Sequence, residues 1–253
     1  MGTARIATKV ARAIRRAEGA ELLGIASRTP ERAEQWAAEH HASRSYGSYE
    51  ALLDDPAIDA VYIPLPPSMH AEWTIRAAEH GKHVLCEKPL AANAAEARDM
   101  AAACREHRVQ LMDGVMWVHH ERTRVMREHL DSGVLGQFRR VTAAFSFNWD
   151  EIPTDNIRLK PELAGGSLGD VGYYCVRAIL WALQEIPQRV FATARYHNGV
   201  DLNVSGLLWF DGDRVASFDC GFDTVYRKWF EVAGTRGLRV AGVRRFRGPV
   251  GGD

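Results

Sequence analysis

Lys88 stands where an ammonium could act on a bound ligand. It follows Val84, Leu85 and Cys86, a short apolar run that opens after Gly81 and closes on a Glu87-Lys88-Pro89 step. Such a run reads as a buried strand, and proline, having no amide hydrogen, ends the ladder and forces a turn. The ammonium then lies at the carboxyl end of a strand, where open α/β sheets hold their ligands. An ordinary surface lysine in a strand-to-helix turn is the competing reading. A second feature sits at the start of the chain: Gly2-Thr3-Ala4-Arg5-Ile6-Ala7 has the spacing of G-x-G-x-x-G/A, with alanine at the middle and last small positions. Backbone amides and a helix N-terminus there would suit a pyrophosphate, whereas a generic glycine-started helix would not need one. At the end of the second element, where a carboxylate would hold an NAD ribose, the chain offers Ser27 and Arg28. A hydroxyl and a guanidinium suit a 2′-phosphate, so NADP is favoured and NAD is the alternative; a solvated loop arginine is the plain reading.

These groups need a frame. A helix is predicted almost from the first residue, from the apolar stripe Ile6, Val10, Ala11 and Ile14. Leu22 to Ala26 reads as a strand, and Thr29-Pro30 as the opening of a second helix. A helical turn near Tyr49 to Leu53, a strand from Ala60 to Ile63, a Pro64-Leu65-Pro66-Pro67 turn and a helix from about His70 to His80 follow. Asn93 with Glu96 forms a capping box for a helix to about His107, and Val109 to Met112 makes another strand. Strand-helix alternation predicts a mostly parallel sheet covered on both faces. Beyond about residue 115 the strands lengthen and follow one another: Phe138 to Phe147, Val190 to His197, Asn203 to Phe210 and Val215 to Phe222, the last two joined at Asp211-Gly212. Trp229 to Ala233 and Leu238 to Val240 would add edges, and the last dozen residues, rich in Gly and Arg, are expected to fray. The expectation is therefore α/β, residues 1–115 forming a dinucleotide-binding domain and residues 116–253 an α+β substrate and oligomerisation domain with an open, mostly antiparallel sheet.

Composition agrees with two domains. With 253 residues and 46% hydrophobic content the chain can bury a sizeable core. Lys plus Arg and Asp plus Glu both number 32, which gives no hint of a nucleic-acid or anionic-membrane partner. Cys86, Cys104, Cys175 and Cys220 are far apart and form no CxxC pair, as expected of reduced core thiols. No apolar run is long enough to span a bilayer and the start is no secretory signal, so a cytoplasmic location is expected.

Taken together, Gly2 to Ala7, Ala60-Val61-Tyr62-Ile63-Pro64, Gly81 to Pro89, Met112 to Trp117 and Gly165 to Tyr174 resemble the Gfo/Idh/MocA oxidoreductases. The likeness covers most of the chain and is greatest to the branch of glucose-fructose oxidoreductase, NADP-dependent D-xylose dehydrogenase and dihydrodiol dehydrogenase. The resemblance implies a Rossmann domain followed by an open antiparallel α/β domain. It implies hydride transfer between a nicotinamide and a sugar, polyol or related substrate. Glu-Lys-Pro is the family signature, which makes Lys88 the catalytic lysine and sets Pro64, Glu87 and Lys88 beside the cofactor. Asp170 and Tyr174 fall on the family's catalytic aspartate and tyrosine. Lying at i and i+4, they would project from one helix face. A base for the hydroxyl proton is needed while hydride leaves the same carbon; a phenol is a weak base, and an ammonium nearby favours phenolate. Asp170 would orient the sugar. The reading requires Lys88 and Tyr174 to meet beside a nicotinamide ring.

Other candidates are softer. His70 could line the cofactor site or cap a helix. Trp117 and His120, just past the last strand of the first domain, are where relatives contact substrate, although Val118 and Glu121 replace residues frequent there. Asn156 and Arg158 could contact substrate or pin the loop before Gly165-Gly166. His119 and His120 point in different directions with no acid or cysteine cluster, so no metal is expected. Sheet faces in this family pair subunits, which implies a homo-oligomer through the C-terminal sheet. Relatives begin with a strand before the fingerprint and continue past the stretch ending at Gly237, so the first strand and C-terminal elements are expected to be missing. The alternatives to an active enzyme are a non-catalytic dinucleotide- or sugar-binding regulator and an inactive fragment.

Overall fold

Short parallel strands alternating with helices make up the first half of the chain, and long strands in sequence make up the second. The computed structural model describes residues 1–149 and 155–243, and the chain divides into two units, Met1–Val115 and Met116–Asp253. In the first unit the elements run α1 Ala7–Ile14, β1 Gly24–Ala26, α2 Pro30–His40, β2 Arg44–Tyr46, α3 Tyr49–Leu53, β3 Ala60–Ile63, α4 His70–Glu79, β4 His83–Cys86, α5 Ala94–Glu106 and β5 Leu111–Asp113. All pairings are parallel, in two pieces: β1 with β2, and β3-β4-β5 in that order.

The predicted boundaries hold best where a cap is explicit. Asn93 Oδ1 accepts from the amides of Ala95 and Glu96, while Glu96 Oε2 accepts from the Ala92 amide one residue before the cap, so α5 begins on a side-chain cap with a return contact shifted by one residue from the expected box. The first helix departs from expectation. It starts at Ala7, and Met1 and Gly2 instead tie the two sheet pieces together. The Met1 amino group donates to the Tyr62 carbonyl at 2.7 Å and the Gly2 amide donates to the Ala26 carbonyl at 2.8 Å. They occupy the place a strand between β1 and β3 would take. Strand β2 was not foreseen. Arg44 and Ser45 are exposed and give no apolar run; the strand is held by its register with β1 and by Tyr46 Oη donating to Asp55 at 2.6 Å.

The second unit holds α6 Glu121–Asp131, β6 Phe138–Asn148, α7 Tyr173–Leu183, β7 Arg189–His197, β8 Val200–Trp209, β9 Val215–Gly221, β10 Asp223–Gly234 and β11 Leu238–Val243. The sheet order is β11-β10-β6-β9-β8-β7, antiparallel except for the parallel β6–β9 pair. Strand β10, expected at an edge, is interior: it pairs with β6 on one side and β11 on the other. Asp211-Gly212 joins β8 to β9 as expected, and Asn198-Gly199, with φ of +49° and +84°, joins β7 to β8 in a second tight turn. Helix α6 was also unforeseen, because its sequence is polar all round; Arg124 pairs with Glu121 and Glu128, and Arg127 with Asp131, along its surface.

Helix α7 covers one sheet face, where Val141, Ala143, Cys175, Ile179, Leu202, Val204 and Val232 form the core. The other face leaves apolar side chains in solvent. Phe191, Leu207 and Val240 fall in one row across the sheet and are 62%, 38% and 41% exposed. No helix among the described residues is long and apolar enough to cross a membrane. The four cysteines are buried and unpaired, and burial pushes the thiols of Cys86 and Cys220 up to about 12. Residues 244–253, most of the stretch expected to fray, lie outside the described residues.

Candidate active site

In the first unit, Lys88 follows the last residue of β4, and the residue before it is unusually well held. Glu87 is 9% exposed; its Oε1 accepts from Tyr62 Oη at 2.6 Å and its Oε2 accepts from the Lys88 amide at 3.1 Å. Tyr62 lies on β3, whose register sets it against Leu85 on β4. Burial first, and then the bond to Glu87, hold the Tyr62 phenol well above its ordinary value, so it remains a donor. The Gly114 amide closes the other side by donating to the Cys86 carbonyl at 2.7 Å. A Cβ at Gly114 would meet the Cys86 oxygen and Glu87 Cα at 3.1 Å, which explains a glycine directly after β5. The Lys88–Pro89 peptide is cis. Tyr62 and Gly114 stand within stretches that carry the family resemblance, but neither is named there as a site residue; the signal for Tyr62 is its place on the neighbouring strand.

His70, expected at the cofactor, is fully buried at the start of α4. Its Nδ1 lies 2.9 Å from the Pro89 carbonyl oxygen and its Nε2 2.8 Å from that of Leu65, so both ring nitrogens are engaged within the unit. Pro64 is buried between β3 and those contacts. Gly2 has φ of +81°, and a Cβ there would meet Leu65 Cδ2 at 2.8 Å. Beyond it, Thr3, Ala4, Arg5 and Ile6 lead into α1, whose N-terminus has no side-chain cap and no acid in its first turn. Ser27, at the end of β1, is 5% exposed, so its hydroxyl faces inward, while Arg28 is exposed. The charges of both Arg28 and Arg32 reach the Tyr49 phenol, which burial nonetheless raises. Arg32 was missed in the sequence because it lies inside the predicted helix.

In the second unit, Asp170 belongs to a π-helical stretch, Leu168–Gly172, that runs into α7. Such wide turns are rare and cluster at functional sites. Arg158 Nε donates to Asp170 Oδ2 at 2.5 Å. The approach to this stretch is fixed by Asp201 on β8, also missed: its Oδ2 accepts from Ser167 Oγ and from the Leu168 amide, each at 2.7 Å. Gly166 permits the approach of Asp201, and Gly165 that of the Arg158 backbone. A Cβ at Gly165 would stand 2.5 Å from the Arg158 carbonyl oxygen, and one at Gly166, where φ is +124°, 2.2 Å from Asp201 Oδ1. Tyr174 packs its ring 5.5 Å from that of Phe145, and Lys228 Nζ lies 5.7 Å from the Tyr174 ring centroid. A cavity of about 140 Å³ opens there, lined by Trp117, Phe145, Tyr174, Cys175, Lys228 and Phe230 among others.

The softer candidates divide. Trp117 shares that cavity with Tyr174 and sets its ring 5.6 Å from Trp181. His120 caps α6, its Nδ1 accepting from the Arg122 amide at 3.0 Å, and Asn156 Oδ1 accepts from the Arg158 amide at 3.0 Å. Both therefore hold backbone, and Arg158 holds Asp170. No cluster of three or more His, Cys, Asp or Glu side chains arranged to hold a metal occurs among the described residues.

Residues 1–115 match the model of an oxidoreductase family with an NAD-binding Rossmann fold, and residues 123–239 match that of the GFO/IDH/MocA C-terminal domain. The chain belongs to the Gfo/Idh/MocA oxidoreductases. Among Gfo/Idh/MocA relatives it is 40% identical over 233 residues to a dTDP-3,4-didehydro-2,6-dideoxy-alpha-D-glucose 3-reductase of Saccharopolyspora spinosa, covering 91% of this chain and 69% of that protein. It is 42% identical over 239 residues to the D-xylose 1-dehydrogenase (NADP(+)) 2 of Haloferax volcanii, covering 94% and 73%. The fold superposes with a TM-score of 0.83 and 32% identity on a 3-ketoreductase from Actinomadura kijaniata solved with TDP-benzene and NADP, over 94% of this chain and 72% of that one. The expected architecture is thus the observed one: a parallel-sheet Rossmann domain followed by a mostly antiparallel sheet domain. The residues present fit a nicotinamide dinucleotide. The α1 N-terminus carries no side-chain cap and no acid in its first turn, behind a glycine whose conformation and contacts exclude a side chain.

Proposed function

We propose that this Gfo/Idh/MocA protein is an NADP-dependent dehydrogenase or reductase of a sugar, polyol or related CH–OH substrate, with Lys88, Asp170 and Tyr174 carrying the proton chemistry. The observation that carries the reading is the pinned Glu87: a carboxylate held by Tyr62 and by the Lys88 amide sets Lys88 at the carboxyl end of β4 in a Rossmann unit. The nicotinamide supplies the acceptor or donor of hydride. In the oxidative direction Tyr174 Oη takes the hydroxyl proton of the substrate, the Lys88 ammonium polarises the substrate oxygen and favours phenolate, and Asp170, steadied by Arg158, accepts a hydrogen bond from a neighbouring hydroxyl. Reduction returns the same proton by the same groups. Trp117, in the cavity with Tyr174, supplies an apolar wall for the substrate.

Several observations support the finer points. The Met1–Val115 unit is read as the dinucleotide-binding domain and the Met116–Asp253 unit as the substrate and oligomerisation domain. NADP is preferred because two guanidinium groups, Arg28 and Arg32, lie just beyond β1 against the single acid Glu31, and the relatives from Haloferax volcanii and Actinomadura kijaniata carry NADP in their descriptions. Sugar-type substrates are favoured by the names of those relatives and of an aldose-aldose oxidoreductase from Caulobacter crescentus, matched with a TM-score of 0.85 and 28% identity over 93% of this chain and 73% of that one. The exposed row through Phe191, Leu207 and Val240 suits a second copy of the chain; a monomer at micromolar concentration in sedimentation would refute that pairing. A cytoplasmic setting keeps the four thiols reduced.

The experiment is a dehydrogenase screen over aldoses and polyols with both nicotinamides, preceded by NADPH titration. Absence of any fluorescence change or thermal shift with NADPH sinks the cofactor half. Wild-type turnover in K88M or Y174F sinks the catalytic half.

A further inference from the structure

His70 makes an arrangement that a neutral histidine cannot satisfy. Its two ring nitrogens lie 2.9 and 2.8 Å from the carbonyl oxygens of Pro89 and Leu65, and the side chain is fully buried. Carbonyl oxygens only accept, and a neutral imidazole has a single N–H. In either neutral tautomer one nitrogen lone pair would face an oxygen at hydrogen-bond distance. Only the ring protonated on both nitrogens donates to both carbonyls. The two carbonyls belong to the two turns that matter: Leu65 follows β3, and Pro89 is the residue after Lys88.

We propose that His70 is the positioning residue of the Lys88 turn, a buried imidazolium that donates one hydrogen bond to each of the turns following β3 and β4. The inference rests on the reading of Lys88 as catalytic and adds to it the group that fixes the lysine's backbone from below. Burial, the largest influence, holds the ring below its ordinary value on balance, against the opposing pull of the Pro89, Leu65 and Leu90 carbonyls and the charge of Glu87; it is the geometry of two acceptors, one at each nitrogen, that calls for the second proton. The titratable groups around it are Cys86, Glu87 and Lys88 on the β4 side; the segment from Pro64 to Met69 carries none, and the nearest acid on α4, Glu72, is exposed and paired with Arg76. Glu87 is thus the compensating anion, and it is already tied to the Lys88 amide. Glu87 and His70 therefore grip the turn at successive points, one at the Lys88 amide and the other at the Pro89 carbonyl.

The test combines spectroscopy and kinetics on the full chain. Nitrogen NMR of the histidine-labelled protein, with His70 assigned by comparison with H70Q, is expected to show both ring nitrogens protonated at neutral pH; a neutral ring overturns the proposal. In kinetics, H70F keeps the volume and removes the donors, and is expected to lower kcat by about 100-fold, the scale of a roughly 1 Å misplacement of a reacting group, with KM for the dinucleotide little changed. H70Q, which keeps an N–H donor, is expected to recover part of that loss. A purely structural role would lower the melting temperature and leave kcat of the folded fraction intact, and that result overturns the proposal, as does H70Q falling as far as H70F. If H70F does not fold, H70Q and the NMR spectrum decide. K88M separates the two readings: wild-type kcat in K88M removes the catalytic lysine, while the NMR spectrum still decides the clamp.

Discussion

Arg158 and Asp170 form a close pair in which the guanidinium Nε donates to the carboxylate Oδ2 at 2.5 Å, so the acid proposed to orient substrate already has a cation of its own unit behind it. The Asp170 side chain keeps 16% of its surface open.

Removing that cation should misplace the acid without unfolding the unit. R158M is expected to lower kcat/KM about tenfold, equivalent to roughly 1.4 kcal/mol of transition-state stabilisation, with R158K intermediate because a single ammonium replaces the planar fork. Steady-state kinetics beside a melting curve check this. Wild-type kcat/KM in R158M would show that the pair merely neutralises charge.

Gly166 should be intolerant of any side chain. G166A must place a Cβ at φ of +124° and 2.2 Å from Asp201 Oδ1, displacing the carboxylate that accepts from Ser167 and Leu168. A loss of about 2 kcal/mol or more in denaturant unfolding is expected. D201A should cost a similar amount, since it strands one buried hydroxyl and one amide. Stability unchanged in both would mean the π-helical stretch is held by other contacts.

Cofactor choice should lie with two arginines. The double variant R28A/R32A is expected to raise KM for NADP at least about tenfold while leaving KM for NAD within a factor of about two, because only the 2′-phosphate needs the guanidinium groups. Equal effects on both cofactors would assign these residues to general folding.

The Met1 amino group gives a pH signature. Burial pulls it from 8.0 to about 5 in the folded chain, so between those values the unfolded state binds the extra proton. Stability therefore rises with pH across that window and is fully developed above the unfolded value. Because the group is fully buried, the change is on the order of a few kcal/mol. Chemical denaturation at matched salt across this range measures it; a flat profile, after allowing for the histidines, would mean the amine is solvated.

Much of this was legible because local chemistry announced it. The cap at Asn93, the Asp211-Gly212 turn and the Lys88 strand each carry their signal within a few residues, and each lies where the sequence sets it. Strand β2 and helix α6 were silent for the opposite reason: Arg44-Ser45-Tyr46 is too short and too polar to show alternation, and α6 buries only Thr123 and Leu130. The interior place of β10 was hidden because strand order depends on pairing partners remote in sequence. Site residues follow the same rule. Lys88 and Arg28 stand at strand ends that sequence can locate, whereas Tyr62, Asp201 and the partners of His70 act across spans of 25, 33 or 34, and 5 or 19 residues. Burial of the His70 ring and the inward turn of the Ser27 hydroxyl have no counterpart in the residue types.

The tie made by Met1 and Gly2 joins the two sheet pieces of the Rossmann unit through two backbone hydrogen bonds, over a core in which Ala26 and Tyr46 pack with Val61, Ile63 and Val84. No ladder crosses this seam among the described residues, and opening it would break those two bonds and uncover the shared side chains together. Amide exchange at Gly2 would report that opening. The arginines proposed for the 2′-phosphate stand on one side of the seam and Lys88 on the other, so a bound dinucleotide touching both would act as a staple across it.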